Sequence, residues 1–389
     1  MSDAQKGILV PQMLLSDFDY ELPRERIAQR PLGQRDGSRL LLLQCDTGRW
    51  EDHSFLEFPE LLRGGELIIV NNARVLPVRL LGRRRGIYSQ PAGAQSPERQ
   101  KHLQSEIEVL LVRKIESGVW EALVRPGRKV PVGERLIFGE GELEAEVVQR
   151  GDFGLRHLHF PDSVNLPEML DRLGHIPLPP YIKRTDDRED HERYQTIFAR
   201  RGIAAAAPTA GLHFTPAILD RLRARGIEIC EITLEVGLGT FEPVRTERIE
   251  DHHIHREHYE IPEATANAIG RARRDGRAIL AVGTTVVRAL EDAAEKSAAR
   301  KSSAIVEPGA AEAEIFIRPG HRFRVVDQVL TNFHLPKSSL LILIAAFAGK
   351  ELILRAYRHA VEQNYRFYSY GDCMLIRGGA SGLDSRSTV

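Results

Sequence analysis

The sequence predicts an α/β protein in which a discontinuous, barrel-like α/β domain is interrupted by a small all-β barrel domain. Three observations predict it. Strand-like and helix-like hydrophobic patterns alternate over most of the chain. One stretch, 75–161, carries six short alternating segments and no convincing helix. The 389 residues, 42% hydrophobic and 28% charged, are ordinary globular material and enough for two or three domains. The expected division is 1–74 as the first part of the main domain, 75–161 as the insert, 162–376 as the second part of the main domain and 377–389 as a flexible tail.

Taken in order, 23–29 reads as a short helix with Pro23 at its first turn, and 39–45 and 66–71 read as apolar strands. In the insert, the segments 78–81, 106–112, 119–124, 134–138, 143–148 and 155–160 alternate between Gly, Pro and charged turns, which is the pattern of a small barrel or sandwich. The gap at 88–104 reads as a flexible hairpin tip. Beyond the insert come a helix at 216–225 behind Thr215, a strand at 227–236, a helix at 262–274, a strand at 278–282 and a helix at 285–299. Strands at 314–317 and 326–330, helices at 338–347 and 352–364 and a strand at 372–376 complete a mostly parallel sheet or barrel. The Ala- and Ser-rich stretch 296–313 reads as a mobile loop.

Composition narrows the setting. Cys45, Cys230 and Cys373 are odd in number and widely spaced, which suits reduced thiols of a cytoplasmic protein. The N-terminus lacks the charge and apolar pattern of a signal peptide, and the longest apolar run, 340–348, falls far short of the roughly 20 residues of a membrane span. Positive and negative residues balance at 54 each, so no whole-molecule field attracts nucleic acid. That argument averages over the surface. The positive charge is 45 Arg against 9 Lys, and Arg clusters occur at 83–85 and at Arg271, Arg273, Arg274 and Arg277. Balanced charge therefore implies modest, transient affinity for a nucleic acid rather than none.

Nucleotide-binding signatures such as Gly-x-Gly-x-x-Gly or a Walker loop are missing. Six polar stretches lie instead where α/β sheets place their sites. Thr209-Ala210-Gly211-Leu212-His213 leads into a helix, where small residues permit close backbone approach and free N–H groups suit a carboxylate. Glu235-Val236-Gly237-Leu238-Gly239-Thr240 ends a strand, and its glycines fit either a ligand or a simple bulge. Four histidines crowd 252–258. His253 and His255 would share a face of a strand, but no supporting metal-ligand spacing appears, so no metal is expected. Proton transfer or polar contact by His253, His255 and Glu257 is the favoured chemistry. Gly283-Thr284-Thr285, with Arg288 one turn later, suits a ribose or carboxylate. Asn332, His334 and Lys337 crowd the entrance of the most apolar helix, and 365–372 interleaves aromatics with Arg366 and Asp372 in the manner of a base-stacking platform.

These residues resemble the S-adenosylmethionine:tRNA ribosyltransferase-isomerase family of queuosine biosynthesis. The likeness runs through Asp17-Phe18-Asp19-Tyr20-Glu21-Leu22-Pro23, Ile27-Ala28-Gln29-Arg30-Pro31, Arg35-Asp36 with Ser38-Arg39-Leu40, and 177–182. It continues through Tyr194-Gln195-Thr196, 206–215, Val282-Gly283-Thr284-Thr285, 331–338 and 365–372. Two departures stand out: Leu234-Glu235-Val236-Gly237 replaces the usual Leu-His-Val-Gly, and Asn72-Ala73 replaces Asp-Thr.

The resemblance implies that the main domain is catalytic and that the protein is a transferase-isomerase. Such an enzyme moves the ribosyl group of S-adenosylmethionine onto 7-aminomethyl-7-deazaguanine at the tRNA wobble position, giving epoxyqueuosine and releasing adenine and methionine. S-adenosylmethionine is then a consumed substrate, and no cofactor is needed. A base at C5′, an acid for departing adenine and an unprotonated amine are the chemical demands. On this reading His213, His253, His255, Glu257 and His334 are the candidate catalytic residues. Arg35, Thr209, Gly211, Glu235, Gly237, Gly239, Thr240, Gly283, Thr284, Thr285, Arg288, Asn332, Lys337 and Asp372 are the candidate substrate-binding residues. A cytoplasmic monomer with tRNA as partner and no membrane association is expected. A non-catalytic RNA-binding protein and an α/β enzyme of small metabolites are the alternatives.

Overall fold

The computed structural model describes residues 13–86, 103–151, 154–237, 244 and 246–378. They form two compact units: one from the described parts of Met1–Asn71, Thr209–Ile232 and Phe241–Val389, the other from those of Asn72–Pro208 and Thr233–Thr240.

The chain opens with β1 (Arg39–Gln44), β2 (Arg49–Ser54), the short helix α1 (Phe58–Leu61) and β3 (Leu67–Asn71). It then enters the smaller unit through β4 (Ala73–Val75) and runs through β5 (Arg79–Arg84), β6 (Ile107–Glu116), β7 (Val119–Arg125), β8 (Arg135–Phe138), β9 (Leu143–Arg150) and β10 (Leu155–His159). Helices α2 (Leu166–Leu173) and α3 (Asp190–Arg193) and strand β11 (Arg201–Ala204) follow. The remainder is α4 (Pro216–Ala224), β12 (Glu228–Leu234), β13 (Glu257–Ile261), α5 (Glu263–Arg274), β14 (Ile279–Val282), α6 (Thr284–Ala299), β15 (Gly309–Ala313), β16 (Gln328–Asn332), α7 (Ser339–Ala348), α8 (Lys350–Glu362) and β17 (Cys373–Arg377).

In the smaller unit β5 to β10 close a six-stranded barrel in the order β10-β7-β6-β5-β8-β9. The period-2 pattern causes it: alternate residues of β7, β9 and β10 are buried, and Val109, Trp120, Leu136, Phe138, Val147 and Leu158 meet in one core. All six barrel strands form where the sequence places them. The small sheet β4–β11 and helix α2 are additions.

The larger unit is built on a nine-stranded mixed sheet, β15-β13-β12-β3-β14-β16-β17-β1-β2. Of the two forms the sequence left open, sheet or barrel, it is a sheet whose edges are β15 and β2. Strands β3, β14 and β16 are buried at every residue; β14 is apolar throughout and β3 up to Asn71, as burial on both faces requires, whereas β16 also buries Gln328, Thr331 and Asn332. Helices α5 and α6 pack on β3, and α6 also packs on β14, β16 and α7. Thr215 and Ser338 cap α4 and α7 by accepting the amides of Ile218 and Leu341. No described helix is long and apolar enough to cross a membrane.

Three expectations are corrected. The stretch 296–313 is not a loop throughout, because Gly309–Ala313 pairs antiparallel with β13 as an edge strand, while 314–317 is not strand. A polar, Ala-rich edge strand takes its stability from the ladder and so has no hydrophobic signature. Strand β2 (RWEDHS) escaped notice for the same reason. The helix expected at 23–29 is only a 3-10 turn, Arg24–Arg26, after which Ile27 bridges to Phe367. The hairpin tip at 88–104 lies largely outside the described residues, as does the tail after Gly378.

A buried carboxylate fixes the approach to β16. Glu291 on α6 is fully buried, and its two oxygens accept the amides of Arg324, Val325 and Val326 at 2.8–3.0 Å. Glu291→Ala strands these donors, and a loss of about 3–5 kcal/mol in unfolding free energy by urea titration is expected.

Candidate functional site

The carboxyl ends of the parallel strands β14 and β16 lie side by side, and the amino ends of β17 and β1 continue the same edge of the sheet. The candidate site lies along this edge, within the larger unit. The 3-10 turn Thr209–His213 packs against it.

His213 is the centre. Its ring is buried, with Nδ1 2.7 Å from Ser38 Oγ and Nε2 3.3 Å from Asn332 Nδ2. The same Asn332 nitrogen faces the carbonyls of Tyr368, at 3.1 Å, and Asp372, at 3.4 Å, so it must be the donor end of the amide. His213 Nε2 therefore accepts, and Nδ1–H donates to Ser38. Phe55 packs on the ring at 5.2 Å, and Phe58 and Phe214 pack around Phe55. Burial, then the charge of Arg366, pushes His213 down to about 4.

His334 is the second buried imidazole. Its Nε2 lies 2.9 Å from Thr331 Oγ1, its N–H donates to the Tyr357 hydroxyl at 3.0 Å and its carbonyl accepts from the Tyr20 hydroxyl at 2.5 Å. Burial pushes it down to about 3. At neutral pH burial keeps both rings uncharged, each with one N–H donor and one acceptor nitrogen.

Gly283 begins α6 at φ +96°, a conformation that favours glycine, and its N–H donates to Leu330 O at 2.8 Å. A Cβ there would meet Thr285 Oγ1 at 3.5 Å and Ala210 at 3.9 Å, so the Gly-Thr-Thr turn and the 209–213 turn are in contact. Thr284 and Thr285 are buried, and Thr285 Oγ1 has no hydrogen-bond partner among the described residues. A hydroxyl without a partner at the positive end of a 16-residue helix suits a carboxylate or ribose oxygen.

The remaining residues sort themselves by contact. Thr209, Gly211, His213, Gly283, Thr284, Thr285, Asn332 and His334 converge on the sheet edge. Arg35 reaches the Leu212 carbonyl at 3.5 Å. Asp372 is buried and binds the amides of Arg39 and Arg366 at 2.9 and 2.8 Å, tying β1 to the turn before β17. Burial raises its carboxyl against the pull of those amides. Lys337, in the left-handed region at φ +58°, pairs with Asp19 at 2.6 Å on the surface.

Other candidates are placed elsewhere. Glu257 and Arg288 form a buried ion pair, and Arg288 also donates to the carbonyls of His255 and Ala313. This pair fastens β13 to α6. His253 and His255 are exposed in the irregular segment ahead of β13, where alternate residues share no strand face, and no group of three or more potential metal ligands occurs among the described residues. Glu235 and Gly237 belong to the smaller unit. Gly239 and Thr240 lie outside the described residues. Sequence reasoning missed Ser38, Tyr20, Thr331 and Phe55: Ser38, Tyr20 and Phe55 each act on a histidine far away in the sequence, which no local pattern reveals, and Thr331, three residues from His334, was the one within reach of spacing.

The sequence matches the family described as queuosine biosynthesis protein over residues 15–376. The S-adenosylmethionine:tRNA ribosyltransferase-isomerase of Solibacter usitatus is 51% identical over 366 residues, covering 94% of this chain and 100% of that protein. The one from Pelotomaculum thermopropionicum is 47% identical over 364 residues with the same coverage. A crystal structure of an S-adenosylmethionine tRNA ribosyltransferase from Thermotoga maritima is 35% identical, with a TM-score of 0.50, and the match covers 93% of this chain and 100% of that one.

The depressed histidines carry a sign. Unfolded, His213 titrates near 6.5, and folded near 4, so between those values the unfolded chain binds more protons. Stability is full above about pH 6.5 and falls as pH drops towards 4. The share owed to His213 is on the order of 3 kcal/mol. Urea titrations at pH 7 and pH 4 are expected to show that share missing in His213→Gln.

Proposed function

The chain belongs to the queuosine biosynthesis protein family, and on that premise we propose that it is an S-adenosylmethionine:tRNA ribosyltransferase-isomerase. It moves the ribosyl group of S-adenosylmethionine to the exocyclic amine of 7-aminomethyl-7-deazaguanine at the tRNA wobble position and isomerises it to the epoxycyclopentanediol of epoxyqueuosine. Adenine and methionine leave. S-adenosylmethionine is consumed, so it is a substrate and not a cofactor, and the protein works in the cytoplasm as a monomer.

What supports this reading most is the convergence, on one sheet edge, of motifs far apart in a sequence that is 51% identical to a full-length relative bearing this activity's name. The chemistry asks for a closed polar pocket. The proton at C5′ is acidified by the adjacent sulfonium, adenine must be protonated as it leaves, and the attacking amine must be uncharged. Buried, neutral His213, His334 and Asn332 supply oriented hydrogen bonds without a competing positive charge, and a dry surround favours the neutral amine. Thr284, Thr285 and the amides opening α6 receive the carboxylate or ribose of the donor. His213 and His334 act on substrate as neutral imidazoles, through the directed hydrogen bonds of their ring nitrogens.

Towards tRNA, the reading is a weak, releasable contact. Part of the arginine surplus is already engaged within the protein: Arg271 and Arg277 pair with Glu228, Arg273 with Asp327 and Arg85 with Glu144.

Incubation with S-adenosylmethionine and tRNA carrying the aminomethyl deazaguanine is expected to release adenine and methionine in equal amounts, and neither without the tRNA. Release of S-adenosylhomocysteine would mark a methyltransferase. Tight tRNA binding without turnover would mark an RNA-binding protein, and adenine release independent of tRNA an enzyme of small metabolites.

A further inference from the structure

We infer that the carbonyl oxygen of Asn332 is the acceptor that reads the exocyclic amine of the substrate's adenine, and that Ser38 is a positioning residue that holds it there through His213. The inference rests on the proposed function and deepens it by assigning an atom to one part of the donor substrate.

Four observations carry it. Asn332 is buried, only 3% exposed, yet its Oδ1 has no hydrogen-bond partner among the described residues. A buried carbonyl oxygen left unpaired costs on the order of 1–3 kcal/mol, so such atoms are seldom kept without a use. The amide cannot rotate to relieve it. Its Nδ2 faces the Tyr368 and Asp372 carbonyls and His213 Nε2, and reversing the amide would set Oδ1 against two carbonyl oxygens. Ser38 Oγ, 2.7 Å from His213 Nδ1, takes the one ring proton and so leaves Nε2 as an acceptor for Asn332. The result is a fixed acceptor at the carboxyl end of β16, beside the strand whose end opens into the Gly283-Thr284-Thr285 turn.

The character of the surroundings selects the ligand group. A buried ammonium needs a counter-charge. His213 is uncharged, and the nearby Asp372 carboxylate, bound by two backbone amides, already has the Arg366 charge beside it, a charge that also acts on His213 and would repel a second cation. A neutral N–H donor fits, which in S-adenosylmethionine is the 6-amino group of adenine, and the methionine ammonium does not.

Calorimetric titration without tRNA tests this on the full chain, with three probes: S-adenosylmethionine, its analogue carrying unsubstituted purine for adenine, and its analogue lacking the α-amino group. The wild-type chain is expected to bind the purine analogue about 10- to 100-fold more weakly than S-adenosylmethionine. Asn332→Ala is expected to abolish that preference by weakening S-adenosylmethionine alone. Ser38→Ala is expected to shrink the preference severalfold and Ser38→Thr, which keeps the hydroxyl, to restore it; this pair carries the test if Asn332→Ala does not fold. A simple structural role for Ser38 would weaken all three probes alike and overturn its assignment. An Asn332→Ala protein that still prefers adenine over purine overturns the inference, as does one whose only lost preference is for the α-amino group. A wild-type chain that releases adenine with tRNA but binds adenine and purine forms equally overturns this inference and leaves the proposed function standing. A wild-type chain that binds no S-adenosylmethionine overturns both.

Discussion

The hydrogen-bonded chain from Ser38 through His213 to Asn332 is the constraint on which the larger unit's site depends. It joins three segments that the sequence keeps 175 and 119 residues apart: the start of β1, the 209–213 turn and the end of β16. Asp372 closes the circle by binding the Arg39 amide next to Ser38, while its own carbonyl faces Asn332. Each link is a neutral polar group, or a carboxylate held by amides, placed where water is excluded. In such surroundings an unmade hydrogen bond is costly, so the arrangement has few alternatives.

Burial then decides what chemistry these groups can perform. His213 and His334, two of the candidate catalytic histidines, are buried, and desolvation holds both neutral. Their value is in direction: His213 fixes the Asn332 amide, and His334, gripped at its backbone by Tyr20 and Tyr357, fixes Thr331. Arginine is used in a comparable way. Arg84, Arg156 and Arg288 are buried, and Arg156 and Arg288 hold backbone carbonyls with their planar donor sets. Some of the excess of Arg over Lys thus serves the interior, where lysine's single point of charge would satisfy fewer acceptors.

Much of the fold was legible because hydrophobic period reports burial directly. The barrel's alternation and the apolar runs of β3 and β14 need no partner to be read. Strands β2 and β15 were hidden because an edge strand has one ladder and a polar face. The site was legible as a set of motifs, and the 209–213 turn does meet Gly283, through Ala210, and Asn332, through His213. Their pairings were not, since Ser38 and His213 carry no mutual spacing. Glu257 and Arg288 were both singled out, yet only the fold shows that they neutralise one another, and the arginines of 271–277 gave no sign of the acids waiting across space at Glu228 and Asp327. Long-range charge pairing leaves no local trace.

The tautomer of His213 is the most direct measure of the central constraint. With histidine labelled by 15N and the His213 resonance identified by its loss in His213→Gln, the ring nitrogens are expected to report a neutral imidazole protonated at Nδ1, unchanged from pH 5 to pH 8. A resonance that titrates near pH 6.5, or a ring protonated at Nε2, would contradict it.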